Sequence, residues 1–294
     1  MEHLLRIADI PLQVESGAAT WFSHRYAAYA RQDGEPPQLV MHTRLQDTIA
    51  VPAGEPVAQE SGLNLVRLAD GRLCRYARNK AGQVVVAITY SPDYSRVDIC
   101  LRVDWQSQHH TLQEYEYMYT GFSFHNRLTV LGGGVLHGSA ICWRGHGVVL
   151  SADSGVGKST HAGLWKQVYG DEVVILNDDK PAIRFMGDKP WVYGTPWSGK
   201  TALNCNEAAP LEAIVFLERG ERNAIRPLDA VEGMYRLSGQ IARPYYDAAL
   251  GERVVDFTRR LLETVPLYCL SCTISEEAVD TVCRALFPNE EGEI

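Results

Sequence analysis

The stretch Ala152-Asp153-Ser154-Gly155-Val156-Gly157-Lys158-Ser159-Thr160 decides how the second half of this chain folds. The apolar run 147–151 before it predicts a short buried strand, and the apolar residues after it follow helical spacing (Ala162, Trp165, Tyr169). Between the two elements, glycines let the backbone wrap around an anion while successive N–H groups point inward. Strand, loop and helix in this order predict a phosphate site at a helix N-terminus, where the helix dipole favours negative charge.

The loop is predicted to bind the phosphates of a nucleotide through consecutive residues, namely Asp153, Ser154, Gly155, Val156, Gly157, Lys158, Ser159 and Thr160. We expect the Lys158 ammonium to reach the outer phosphates and the Ser159 hydroxyl to hold Mg²⁺. Ala152 stands where the motif has its first glycine, and alanine is tolerated there if its φ is negative. The alternative is an ordinary turn before a helix, which the unbroken match over 157–160 disfavours.

Two carboxylates follow a second apolar run, 172–176, which predicts a strand buried on both faces of a mainly parallel sheet. Asp178 and Asp179 come directly after this strand, at the sheet edge where α/β proteins bind ligands. One carboxylate in such a place can hold Mg²⁺, and the other can accept a proton from an attacking group. The alternative is a solvated Asp-Asp turn before Lys180 and Pro181.

Three segments together resemble the catalytic core of the HPr kinase/phosphorylase family, which is related to phosphoenolpyruvate carboxykinases. They are His137-Gly138, the loop 151–159 and the stretch 177–180, and His137 lies 21 positions before Lys158, as in that family. The resemblance implies an α/β fold with a P-loop (Walker A) nucleotide-binding domain, to which the strand pattern of the first half adds a β-rich N-terminal part.

The resemblance also implies roles for single residues. Lys158 would bind the β- and γ-phosphates, Ser159 and Asp179 would hold Mg²⁺, Asp178 would be the general base on a substrate hydroxyl, and His137 would line the phosphate pocket. Without its spacing, His137 would instead be interpreted as a buried core histidine.

One segment departs from the family pattern. The stretch 193–200 stands in place of the glycine-rich signature that follows the aspartates, which leaves the phosphate acceptor and any phosphorylase reaction open. Lys200, at its end, is a candidate for contact with phosphate or substrate. The alternative for this segment is a surface turn between strands.

The chain is predicted to have a β-rich N-terminal domain, residues 1–130, and a kinase-like domain, residues 131–294. Strands are expected at 84–90 and 96–103, and a connecting helix at 105–120. A hairpin is expected to run from His137 to Ser151 and to turn at Arg144-Gly145. We therefore expect His137, the loop and the two aspartates to meet at one edge of a single sheet.

Composition narrows the class of protein. The 294 residues are 46% hydrophobic and 22% charged, with a formal net charge of −8, which argues against non-specific nucleic-acid binding. No apolar run approaches the roughly 18 residues that span a bilayer, and no signal peptide is evident. Seven cysteines, an odd number, indicate reduced thiols in the cytoplasm, with the Cys269–Cys272 pair in a core strand rather than in a metal site. A homo-oligomer is left open.

The function that this pattern favours is an ATP- and Mg²⁺-dependent phosphotransferase, a kinase that transfers the γ-phosphate to a hydroxyl of a peptide, a protein or a small molecule. Two alternatives remain open at this stage. One is a nucleotide-binding regulatory protein that has lost the transfer reaction. The other is a carboxykinase-like enzyme, for which the additional metal site and the substrate-binding arginine cannot be placed.

Overall fold

The computed structural model describes residues 2–17, 25–60, 63–105, 110–244 and 246–289. It contains two compact units. The first comprises Met1–Leu131 with Pro244–Leu250, and the second comprises Gly132–Arg243 with Gly251–Ile294. None of the described helices is long and apolar enough to cross a membrane.

The described part of the first unit contains one eight-stranded sheet. In spatial order its strands are β1-β2-β3-β8-β7-β6-β5-β4, and the pairs β2–β3 and β3–β8 are parallel. Along the chain the strands are β1 (Glu2–Ile7), β2 (Ile10–Glu15), β3 (Leu39–Gln46), β4 (Glu55–Glu60), β5 (Leu63–Arg67), β6 (Leu73–Arg78), β7 (Val84–Tyr90) and β8 (Arg96–Arg102). The predicted strands at 84–90 and 96–103 are confirmed.

A long helix of this unit, α1 (Leu112–Val130), begins later and runs further than the expected 105–120. It begins where a capping box forms: the Thr111 side chain accepts from the Glu114 N–H, and the Glu114 carboxylate accepts from the Thr111 N–H. Residues 106–109 of the expected helix lie outside the described residues. The cap at Thr111 determines where the helix begins.

The second unit is built on a nine-stranded sheet covered by helices on both faces. Its strands are β9 (Gly134–Val135), β10 (Gly138–Trp143), β11 (His146–Ser151), β12 (Val173–Asn177), β13 (Ala182–Met186), β14 (Lys189–Tyr193), β15 (Ala208–Arg219), β16 (Ala224–Pro227) and β17 (Leu267–Cys272). Its helices are α2 (Lys158–Tyr169), α3 (Ala230–Gln240), α4 (Ala248–Thr264) and α5 (Glu276–Leu286), of which α4 begins within the first unit.

The hairpin between β10 and β11 forms as predicted. Gly138 pairs with Ser151 and Trp143 with His146. The turn residues Arg144 and Gly145 have φ values of 50° and 86°, the left-handed conformation that a two-residue hairpin turn requires.

The expectation of a mainly parallel sheet is wrong in part. The spatial order of the strands is β12-β10-β11-β15-β14-β13-β9, and β17 lies beside β15. The strands β11, β15 and β17 run parallel to one another. In contrast, β10 is antiparallel to both of its neighbours, β11 and β12. The hairpin partner β10 thus lies between the loop-bearing strand and β12. Consequently β12 is an edge strand with half-buried Val174 and Ile175, not a strand buried throughout.

The core has one layer on each face of this sheet, because alternate residues of its central strands point to opposite sides. Val149, Ile214 and Phe216 pack with α3 and α4, while Val148, Leu150 and Val215 pack with α2 and α5. The buried Cys269 lies within β17, so the predicted core strand around the cysteine pair is confirmed.

Gly194, which follows β14, lies where the neighbouring backbone leaves no room for a side chain. A Cβ placed there would overlap the carbonyl oxygen of Cys205 and lie 2.6 Å from that of Leu176. Replacing Gly194 with alanine therefore forces backbone segments apart, and we expect a loss of about 2 kcal/mol in the free energy of unfolding. Urea unfolding measures this loss.

Gly163→Ala is the matched control, since a Cβ on this exposed helical residue meets nothing within 4 Å. This control should be neutral or stabilising, because alanine favours the helix over glycine. Equal unfolding free energies for wild type and Gly194→Ala would contradict the close backbone approach.

Candidate functional site

The candidate site begins with the loop 152–157, which joins the end of β11 to α2. Gly155 and Gly157 have φ values of 80° and 131°, where a side chain would be strained. Ala152 does not adopt a positive φ, so alanine can stand in place of the first glycine of the motif. No described side chain caps α2, and its first turn carries no acidic residue, which leaves its end suited to an anion.

Lys158, the first residue of α2, is buried and folds back over the loop. Its ammonium donates hydrogen bonds to the carbonyl oxygens of Ala152 and Asp153, at 2.9 and 3.3 Å. Burial lowers the pKa of Lys158, while the negative charge of Asp179 acts to raise it. The loop therefore holds a partly desolvated cation close to the carboxylates.

Asn177, the last residue of β12, organises the turn that carries those carboxylates. Its side-chain oxygen accepts from the N–H groups of Asp179 and Lys180, at 2.8 and 2.6 Å. Its amide group donates to the carbonyl oxygen of Thr195, at 2.8 Å. Because Asn177 is fully buried, it fixes the segment after β14 against the turn.

Asp178 lies inside the protein, with only 5% of its surface exposed. One carboxylate oxygen accepts from the Ser139 hydroxyl at 2.7 Å, and the other accepts from the Thr201 hydroxyl at 3.0 Å. These two hydrogen bonds fix the orientation of the carboxylate. A solvated Asp-Asp turn, the alternative drawn from the sequence, is therefore wrong for Asp178.

Asp179 is more open, with 28% of its side chain exposed. Its Oδ1 lies 3.4 Å from His137 Nε2 and 3.1 Å from Lys180 Nζ. Gly199 approaches the same carboxylate so closely that a Cβ there would lie 3.0 Å from Asp179 Oδ2. The segment 195–200 thus packs against the site, and Lys200, whose side chain is exposed, follows the residue that touches Asp179.

Gln240, at the end of α3, connects the loop to His137. Its Nε2 donates to the Asp153 carboxylate at 2.9 Å, and its Oε1 lies 3.1 Å from His137 Nδ1. A carboxylate only accepts, so the amide must turn its NH₂ group to Asp153 and its oxygen to the histidine. His137 Nδ1 must then donate, which leaves Nε2 facing Asp179 as the nitrogen without a proton in the neutral ring.

The electrostatic surroundings of His137 favour that neutral ring. Burial lowers the pKa of His137, and the neighbouring Lys180 and Lys158 ammonium groups lower it further. The Asp179 carboxylate and the Gln240 hydrogen bond act in the opposite direction but do not outweigh them.

We therefore expect neutral His137 to carry its proton on Nδ1 in the wild-type protein. In Gln240→Leu, which removes the acceptor, both ring tautomers should appear. NMR of the ¹⁵N-labelled histidine rings distinguishes the two nitrogens directly. Gln167→Leu, which alters an exposed glutamine bonded to Glu276, should leave the His137 signals unchanged. A predominant Nε2–H tautomer in wild type would contradict the deduced orientation of Gln240.

The structure brings most of the candidates together at one edge of the sheet. Lys158, Asp178, Asp179 and His137 are close enough for their charges to influence one another, and Ser159 lies in the exposed first turn of α2 together with Thr160. Among the described residues, no group of three or more His, Cys, Asp or Glu side chains could hold a metal ion.

Four residues at the site are absent from the sequence-based set. Ser139 and Thr201 bind Asp178, Gln240 binds His137, and Arg219 donates to the carbonyl oxygen of Gly155 at 2.6 Å. Their partners lie from 23 to 103 positions away in the chain. No local pattern marks them, since each acts through a contact that only the sheet topology creates.

No curated protein matches this chain. The solved structure of the Hpr(Ser) kinase/phosphatase from Coxiella burnetii is similar to it with a TM-score of 0.31 and 13% sequence identity, over 51% of this chain and 94% of that one. The family model described as SynChlorMet cassette protein ScmC matches residues 106–286, which is more than half of the chain. The chain therefore belongs to the ScmC family.

Proposed function

We propose that this protein is a Mg²⁺-dependent phosphotransferase that binds ATP on the loop 152–158 and transfers the γ-phosphoryl group to a hydroxyl. The observation that supports this most strongly is the placement of Lys158. Its buried ammonium lies over a glycine-containing loop, at the same sheet edge as one buried and one open carboxylate. A phosphate site next to paired acids is the arrangement that phosphoryl transfer needs.

The loop and the helix fit the phosphates of a nucleotide. The uncapped N–H groups of α2 and its dipole favour an anion, and the Lys158 ammonium supplies a positive charge where the outer phosphates would lie. In the structure this ammonium donates to the Ala152 and Asp153 carbonyl groups. A phosphate oxygen, being charged, is a stronger acceptor than either carbonyl and would draw the lysine toward it.

The site also fits Mg²⁺. Ser159 and Asp179 offer a hydroxyl and a carboxylate oxygen, and Mg²⁺ commonly takes one or two carboxylates together with substrate phosphates rather than a complete protein cage. When bound, the ion would offset the negative charge of the phosphate oxygens.

Asp178 is the proposed general base. Its hydrogen bonds from Ser139 and Thr201 fix the carboxylate, and each oxygen retains a lone pair for a further proton. A bond forms between the acceptor oxygen and the γ-phosphorus while the bond from that phosphorus to the β–γ bridging oxygen breaks. The hydroxyl proton passes to Asp178, and ADP leaves with the electron pair of the broken bond.

Lys158 and His137 are the other two side chains proposed to lie beside the transferred phosphoryl group. Lys158 stabilises the negative charge that develops on the outer phosphates. His137 lines the site beside Asp179, with its Nε2 3.4 Å from Asp179 Oδ1. The acceptor is a hydroxyl of a peptide, a protein or a small molecule.

Incubation of the protein with γ-labelled ATP, Mg²⁺ and a cell extract tests the proposal. After separation into protein and small-molecule fractions, wild type should transfer label to a component of one fraction, and Asp178→Asn should not. ATP labelled at the α-phosphate is the control and should label nothing. If wild type bound Mg-ATP but transferred no more label than Asp178→Asn, the result would instead support a nucleotide-binding regulatory protein.

A further inference from the structure

A cleft of about 870 Å³ opens beside the loop, within the second unit. The loop residues Asp153 and Val156 form one wall, the end of β15 from Phe216 to Arg219 forms the floor, and α3 forms the opposite wall. A volume of this size lies within the range of pockets that hold small ligands, about 300–1,000 Å³. The proposed roles of Lys158, Asp178 and Asp179 make no use of it.

The order of the strands places this cleft on one flank of the loop. β11 ends at the loop, β10 and β12 lie on one side of β11, and β15 lies on the other. The strands β10 and β12 bring His137, Asp178 and Asp179 to the first flank, whereas β15 brings the cleft floor to the second. A chain of phosphates lying in the loop would therefore have the acids on one side and the cleft on the other.

We propose that the cleft binds the nucleoside of the phosphate donor, with the Tyr235 ring stacked on the base. This inference rests on the proposed function, because the γ-phosphate must lie beside the acids for transfer. The acceptor hydroxyl must reach the same acids, so it occupies the first flank. The α-phosphate and the nucleoside therefore lie on the second flank.

Tyr235 supplies a suitable surface for a base. It lines the cleft from α3, yet 81% of the residue is exposed, so its aromatic face is accessible to a ligand. Aromatic side chains stack on every base, because each base has a π-face. An exposed tyrosine within a ligand-sized cleft next to a phosphate loop is thus placed where a base would lie.

Most of the charged side chains that line the cleft are bound within the protein, which fits an uncharged group better than a further phosphate. Arg236 is bound by Glu218 and Glu232, with N···O distances of 2.5 and 2.8 Å. Arg219 donates to the Gly155 carbonyl oxygen, and the Asp153 carboxylate accepts from Gln240. Since these charged groups already have partners in the protein, they favour a neutral base and ribose.

Two ligands separate this inference from the proposed function: Mg-ATP and Mg-tripolyphosphate, which lacks the nucleoside. Calorimetric titration of Tyr235→Ala should show Mg-ATP binding weakened about tenfold, as expected when one stacked base is lost. Mg-tripolyphosphate should bind to Tyr235→Ala as it does to wild type. Tyr235→Phe, which keeps the ring, should retain both affinities.

Val231→Ala is a further control, because Val231 has the same 81% exposure on the same helix and does not line the cleft. Unchanged Mg-ATP affinity in Tyr235→Ala, or an equal loss for both ligands, would overturn the inference. A higher KM for the acceptor with unchanged Mg-ATP affinity would also overturn it, since the cleft would then hold the acceptor. If wild type bound neither ligand, the proposed function would fail, and this inference would fail with it.

Discussion

Replacement of Lys158 with alanine is expected to abolish, or greatly reduce, the thermal stabilisation that Mg-ATP gives to this protein. The ammonium is the buried positive charge over the loop, and its removal leaves the outer phosphates without their main cationic partner. A ligand at one hundred times its Kd stabilises the folded state by about 2.7 kcal/mol, which is readily seen as a shift in Tm. The measurement is the Tm with and without Mg-ATP for wild type and variant.

Lys166→Ala is the matched control for this prediction. Lys166 lies on the same helix, but its ammonium is directed to the exposed Asp171 and to the carbonyl oxygen of Val173, away from the loop. Its removal should leave the Mg-ATP shift intact. Equal shifts in wild type and Lys158→Ala would show that the loop does not bind the phosphates.

Asp178→Asn is expected to lose phosphoryl transfer while it keeps Mg-ATP binding. Loss of a general base costs on the order of 10²–10⁴ in rate. Asparagine preserves the size of the side chain, and the Ser139 or Thr201 hydroxyl can turn to accept from the new NH₂ group. The buried turn should therefore remain folded, so that the rate reports on the base itself.

Asp179→Asn provides the comparison. Because Asp179 is the open carboxylate beside Lys180 and His137, its loss should raise the Mg²⁺ concentration needed for half-maximal transfer. Titration of Mg²⁺ against the transfer rate in both variants distinguishes the two roles. If Asp178→Asn raised the Mg²⁺ requirement and Asp179→Asn abolished transfer at saturating Mg²⁺, Asp178 would be the Mg²⁺ ligand and Asp179 the general base.

Local patterns were enough to predict the hairpin, the strand before the loop and the helix after it. The hairpin turned at Arg144 and Gly145 because both residues adopt a positive φ, and the strand before the loop and the helix after it formed where apolar spacing placed them. These elements depend on interactions between neighbours in sequence. They could therefore be inferred without knowledge of the sheet.

Features that depend on distant residues could not be inferred in this way. The insertion of β10 between β11 and β12 follows from strand pairing, which the apolar run 172–176 does not encode. Likewise, the burial of Asp178 depends on Ser139 and Thr201, which reach it across 39 and 23 positions. The start of α1 differs from the expected residue 105 for a local reason, because the capping box of Thr111 and Glu114 begins the helix at Leu112.

A crystal structure of the protein with Mg²⁺ and a non-hydrolysable ATP analogue tests the central claim most directly. We predict that the phosphates lie in the loop 152–158 with Lys158 Nζ bonded to the outer phosphate oxygens. Mg²⁺ should lie between the Ser159 hydroxyl and the Asp179 carboxylate, with Asp178 on the same side as the γ-phosphate. Phosphates bound elsewhere, with Lys158 still bonded to the Ala152 and Asp153 carbonyl oxygens, would contradict the account.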